Sequence, residues 1–193
     1  MKKLQIKSLI FDMDGTITVP SINFDRIRNE LGILSGDIVE VIASWPQKKA
    51  ATAWALIEKY EKDVLSLTKF QDGAQESLMK FKAHGIRLGL LTRNSRKSAD
   101  AVLALLNVPF DIVLTREFPF IKPHPGPVLH MLREWKLRPA EALVIGDYIH
   151  DIESGKAAGA YSCFFENPGA RSYSDHADYS VKSFRELEKI VLP

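Results

Sequence analysis

Apolar residues along this chain fall into short unbroken runs separated by stretches with helical spacing. The runs occupy residues 8–11, 86–91, 112–114, 142–145 and 161–165. Each is continuous rather than alternating, which predicts strands buried on both faces. Between them, Ala74, Leu78, Phe81 and Lys82 mark one helix. Ala101, Val102, Leu105 and Leu106 mark a second, and Val128, Leu129, Leu132 and Trp135 a third. Strand alternating with helix predicts an α/β fold, a doubly wound parallel sheet covered on both faces.

Residues 20–69 break the alternation and contain no strand-like run. Ala50, Ala53, Trp54, Ile57, Tyr60, Val64 and Leu67 advance in steps of three and four, the spacing of one helix face. Residues 24–31 and 38–41 read as two shorter helices parted by the segment 32–36. The chain therefore divides into an α/β core, residues 1–19 and 70–193, and a small all-helical insert, residues 20–69. Trp54 and Tyr60 read as packing residues of that insert. The patch from Pro119 to Pro127 is too short for a linker and reads as an ordered loop.

Composition adds little beyond a globular character, with 46% hydrophobic and 26% charged residues. A formal net charge of +2, with no run of five like charges, gives no reason to expect a nucleic-acid or membrane partner. Cys163 is the only cysteine, which excludes an internal disulfide and suits the cytoplasm. The opening residues mimic a secretory signal, but Lys7 interrupts the apolar stretch and Asp12 and Asp14 follow at once.

Chemistry gathers at the predicted strand ends, where ligands bind in parallel sheets. Phe11-Asp12-Met13-Asp14-Gly15-Thr16 closes the first strand. Extended geometry would point both carboxylates the same way, and two like charges in one site call for a cation or a shared proton. A solvated turn with a capping acid is the plain alternative. Thr92, Arg93 and Asn94 close the second strand ahead of Ser95, a helix N-cap. Thr92 there serves equally well as a cap or as a phosphate contact. Lys122 sits in the loop stiffened by Pro123, Pro125 and Pro127. Asp147 and Asp151, four residues apart at another strand end, share one side of a turn. Carboxylate oxygens suit a hard ion such as magnesium. The five histidines show no pair at metal-ligand spacing, and His150 reads as a helix N-terminal residue.

Taken in order, these motifs resemble the haloacid dehalogenase (HAD) superfamily, in its phosphatase branch with a helical cap after the first motif. Phosphoglycolate phosphatase-like members belong to that branch. The resemblance covers Asp12 to Asp151 and implies a Rossmann-like core with strand order 3-2-1-4-5. It implies that Asp12 is the nucleophile, Asp14 the general acid and base, and Lys122 the lysine that neutralises the phosphoryl group. It further implies that Thr92, Arg93 and Asn94 bind substrate. Mg2+ would be held by Asp12, Asp14 and Asp147, with Asp151 in support. Tyr148 departs from the pattern, since many relatives carry a small hydroxyl residue there.

The activity so implied is magnesium-dependent hydrolysis of a small phosphate monoester through an aspartyl-phosphate on Asp12. An acid at position 14 favours phosphate esters, because relatives acting on other bonds lack it. Two other readings stand beside it: a sugar-phosphate mutase of the same superfamily, and a non-catalytic binding or regulatory module. The insert, leaving just after the first strand, is expected to choose among substrates, with Arg26, Arg28, Trp45 and Lys48 as candidate contacts.

Overall fold

The computed structural model describes residues 5–192; the start of the signal-like stretch, residues 1–4, lies outside them. Strands β1 (Ser8–Phe11), β2 (Arg87–Leu91), β3 (Ile112–Leu114), β4 (Ala142–Gly146), β5 (Tyr161–Phe165) and β6 (Tyr179–Val181) form one parallel sheet in the order β3-β2-β1-β4-β5-β6. The implied order is present and is extended by β6. No apolar run announces that strand, because Tyr-Ser-Val is only three residues long and steps from half-buried through exposed to buried. At the opposite edge β3 is half-buried throughout rather than buried on both faces, since an edge strand has a neighbour on one side only.

Helices come in two groups. Helices α1 (Phe24–Leu31), α2 (Ile38–Ala43) and α3 (Gln47–Leu65) belong to the compact unit Ser21–Thr68. Helices α4 (Ala74–Ala83), α5 (Arg96–Leu106), α6 (Gly126–Trp135), α7 (Ile149–Ala157) and α8 (Phe184–Val191) belong with the sheet to the other unit. Each unit has its own core. In the smaller one Ile27, Ile33, Ile38, Ile42, Ala53 and Ile57 are buried together, with Trp54 and Tyr60 packed against them. Leu67 leaves the predicted helix face: α3 ends at Leu65, and Leu67 is 69% exposed. Three of the four candidate contacts, Arg26, Arg28 and Trp45, have partners within the same unit. Arg26 pairs with Glu30 and lies over the Tyr60 ring, Arg28 donates to the Gly36 carbonyl, and Lys49 sits over Trp45.

In the larger unit one sheet face buries Ile10, Leu91 and Val144 against Val128, Met131 and Leu132 of α6. Gly89 permits this contact, because a Cβ there would stand 2.6 Å from Met131 Sδ. Phe11 stacks on Phe184 of α8. Leu105 and Leu129, counted on the buried faces of α5 and α6, are instead 57% and 44% exposed. Among the described residues, no helix is long and apolar enough to cross a membrane.

Candidate active site

The register fixes where the chemistry meets. Phe11 pairs with Leu90 of β2 and Ile145 of β4, so Asp12, Thr92 and Asp147 emerge from three adjacent strands. The Asp12 amide adds one more bond, to the Ile145 carbonyl at 2.8 Å. This is the crevice where the order of a parallel sheet reverses, and where such sheets bind ligands.

Lys122 is the hub. It is 4% exposed, and its Nζ donates to Asp12 Oδ1 at 2.5 Å and to Asp151 Oδ1 at 2.6 Å. The loop that delivers it is tied to α7 by Ser154, whose hydroxyl donates to the His124 carbonyl. Asp151 is fixed in turn by accepting from the Tyr148 amide at 3.1 Å. Two glycines make the crowding possible. A Cβ on Gly146 would fall 2.0 Å from Asp151 Cγ, and one on Gly15 would fall 2.0 Å from Asp147 Oδ2. Gly15 also has a φ of +83°, which favours glycine by itself.

Asp12, Asp147 and Asp151 each offer an oxygen, and these oxygens lie within 4.8 Å of one another. Asp14, counted with the metal carboxylates from sequence, is not in that group; Asp151 completes it. Extended alternation would have aligned Asp12 with Asp14, but β1 ends at Phe11 and the Ile17 and Thr18 amides close a turn on the Met13 carbonyl. The Asp14 carboxylate accepts instead from Asn94 Nδ2 at 2.6 Å and from the Thr18 hydroxyl at 3.3 Å. Asn94, a predicted substrate contact, thus holds the predicted acid. Thr92 is buried and its oxygen accepts from the Asn94 amide, so its own hydrogen is open to an oxyanion. Ser95 caps α5 as its sequence predicts. Arg93 lies with Nη1 at 2.7 Å from His150 Nδ1, so His150 is more than a helix-end residue.

Burial dominates the electrostatics. It raises Asp12 to about 6 against the pull of the Lys122 ammonium, with the Asp151 charge adding to the rise. Burial raises Asp147 to about 8, and the charges of Asp12 and Asp151 push the same way. Burial works against a charged Lys122, yet Asp12 and Asp151 together hold its pKa above the ordinary value. Three carboxylates therefore face one ammonium, a surplus of buried negative charge that is costly without a further cation. Oxygen-only donors of this kind fit a hard divalent ion such as Mg2+ rather than a soft metal.

Sequence reasoning missed Asn167 and Gln71. Asn167 donates to Gly15 O and Asp147 Oδ2 and accepts from Gln71. Asn167-Pro168-Gly169 is a turn signal just past a strand's carboxyl end, and that position could have flagged it. Gln71 carries no such sign.

The family of haloacid dehalogenase-like hydrolases matches residues 18–165, and the chain belongs to it. A haloacid dehalogenase-like hydrolase domain-containing protein of Arabidopsis thaliana is 32% identical over 98% of this chain and 85% of its own length. A phosphoglycolate phosphatase of Nitrosospira multiformis is 31% identical over 97% of this chain and 96% of its own. Among solved structures, a HAD-superfamily hydrolase of subfamily IA from Geobacter sulfurreducens superposes with a TM-score of 0.67. It is 27% identical and covers 97% of both chains. The fold and the family match define a HAD-like hydrolase, and its relatives include proteins named as phosphatases.

Proposed function

We propose that the chain is a magnesium-dependent phosphatase that hydrolyses a small phosphate monoester by way of an aspartyl-phosphate on Asp12. One observation carries this reading. Asp12 stands at the switch point of the sheet with the Lys122 ammonium on one of its oxygens, and two more carboxylates complete an oxygen cluster beside it.

Asp12, Asp147 and Asp151 are the residues that would hold Mg2+, which when bound supplies positive charge to the phosphoryl oxygens. Asp12, ionised at neutral pH with a pKa of about 6, attacks phosphorus through a carboxylate oxygen. The bond to the leaving alcohol breaks, and Asp14 gives that oxygen a proton. Asp14 then takes a proton from the water that attacks the aspartyl-phosphate, which releases phosphate and regenerates Asp12. Acid–base assistance of this kind contributes about 10²–10⁴ in rate. Asn94 and Thr18 orient Asp14 for the task. Lys122 and the Thr92 hydroxyl meet the charge on the equatorial oxygens. The likeness to a phosphoglycolate phosphatase across nearly the whole chain supports a small substrate, and phosphoglycolate is the first ester to assay. The buried lone thiol of Cys163 suits a cytoplasmic setting.

Asp12→Asn tests the covalent step. An amide cannot serve as this nucleophile, so phosphate release should fall to background while the chain stays folded. Phosphate release by a folded, undeamidated Asp12→Asn protein at the parent rate would overturn the mechanism. Product analysis with a sugar monophosphate separates hydrolysis from isomer formation.

A further inference from the structure

Two side-chain amides complete the surroundings of Asp147, and no step above uses them. Asn167 follows β5 at the carboxyl edge of the sheet. Its Nδ2 donates to the Gly15 carbonyl at 2.7 Å and to Asp147 Oδ2 at 3.2 Å. Its Oδ1 accepts from Gln71 Nε2 at 2.8 Å, and Gln71 Nε2 also lies 3.4 Å from Gly15 O. A carbonyl only accepts, so Gly15 O fixes both amides with their nitrogens inward. Both hydrogens of Asn167 Nδ2 are then committed, one to the turn after Asp14 and one to Asp147. Gln71 is itself anchored through its backbone, its amide donating to the Ile17 carbonyl at 2.9 Å.

The terminal torsion of an aspartate is broad, so packing alone sets the plane of its carboxylate poorly. At Asp147 two contacts set it. Gly15 forms a floor so close that a methyl group there would collide with Oδ2, and Asn167 holds that same oxygen from the side. Loss of a partner that orients a metal ligand in this way typically costs about 10–100-fold in metal affinity.

We propose that Asn167, buttressed by Gln71, is a positioning residue that holds Asp147 in the orientation needed to bind the divalent cation. This rests on the magnesium reading of the carboxylate cluster, and the test keeps the two apart. Mg2+ alone is titrated calorimetrically into the phosphate-free parent chain and into Asp147→Asn, Asn167→Ala, Gln71→Ala and the double variant Asn167→Ala/Gln71→Ala. Circular dichroism confirms that each is folded. Asn167→Ala should weaken Mg2+ binding by about 10–100-fold. Gln71→Ala should weaken it less, and should add nothing in the Asn167→Ala background, because the two act through one oxygen. A merely structural role would give additive losses of stability without this pattern in metal affinity. If the parent binds Mg2+, Asp147→Asn loses it and folded Asn167→Ala keeps full affinity, the positioning proposal falls and the metal reading stands. If the parent takes up no Mg2+, both fall. Should Asn167→Ala not fold, Gln71→Ala decides alone: weakened binding upholds the proposal and unchanged binding overturns it.

Discussion

Lys122 stands between two acids in a space that water barely reaches, so its charge is structural as well as chemical. Removing it strands Asp12 and Asp151 without a counter-charge, and breaking a buried pair in this way costs about 3–5 kcal/mol. Lys122→Met should lower the unfolding free energy of the metal-free chain by about that amount in a urea titration. Adding Asp151→Asn to it should return part of the loss, because one stranded charge is then gone. Two independent, additive losses would show that Lys122 and Asp151 do not act as a pair. Gly146 makes a sharper case, since its backbone is not in the left-handed region and only space is at stake. A methyl group there meets the Asp151 carboxyl at 2.0 Å and must push it off Lys122. A displacement of about 1 Å in a reacting constellation costs on the order of 10² in rate. Gly146→Ala should therefore fold, yet turn over about 10²-fold slower in a phosphate-release assay. A parent-like rate would mean that Asp151 is free to move without consequence.

At the scale of elements, the legible parts are those where burial alone dictates residue type. Strands β1, β2, β4 and β5 show as mainly apolar, mainly buried runs because helices cover both of their faces. Their carboxyl ends locate Asp12, Thr92, Asp147 and Asp151 without any knowledge of side-chain contacts. What escaped was β6, too short and too exposed to leave a pattern, and the roles that rest on side-chain hydrogen bonds between residues far apart in the chain. Asn167 acts on the Gly15 carbonyl, and Asn94 donates to Asp14, through bonds that no periodicity records. The insert is legible because helical spacing continues through residues 20–69 where the alternation calls for a strand. Its chain ends are also informative. The Val19 amide donates to the Lys69 carbonyl at 2.8 Å, and Thr18 bridges Phe70 in antiparallel fashion. The two ends of the insert are thus already paired like the strands of a hairpin. Replacing residues 21–68 by a two-residue Asn-Gly turn should leave the larger unit able to fold, since its core is its own. The shortened chain should unfold cooperatively on heating and bind Mg2+ in calorimetry. A molten or aggregated product would show that the larger unit depends on the insert for its stability.

For the whole molecule, the consequence of gathering these acids is a dependence of stability on pH that runs opposite to the ordinary acid-labile pattern. Burial holds Asp147 at about 8 and Asp12 at about 6, both well above the ordinary aspartate value. Below that ordinary value the folded and unfolded chains are both protonated at these positions, and neither group weakens the fold. As pH rises past it, the unfolded chain releases protons that the folded chain still keeps. The folded state then binds more protons than the unfolded one, so stability declines with pH until the folded groups also ionise. The carboxylates held low, among them Glu141 at about 2 beside Arg138 and Lys7, complete their opposite contribution at lower pH and leave this window clear. The Tm of the metal-free chain should accordingly fall between about pH 5 and pH 9, the span over which raised carboxyls lose their protons. Mg2+ binds only the ionised cluster, so the rise in Tm that it produces should be small at the acid end and grow towards the alkaline end. Asp147→Asn removes the group responsible for the upper part of the window, and should both flatten the metal-free slope above neutrality and shrink the Mg2+ increment. Differential scanning calorimetry at matched ionic strength, with a chelator or with excess Mg2+, measures all of these. A metal-free Tm that climbs across the window, or a Mg2+ increment that is the same at both ends of it, would mean that the three carboxylates do not share one buried, cation-seeking site.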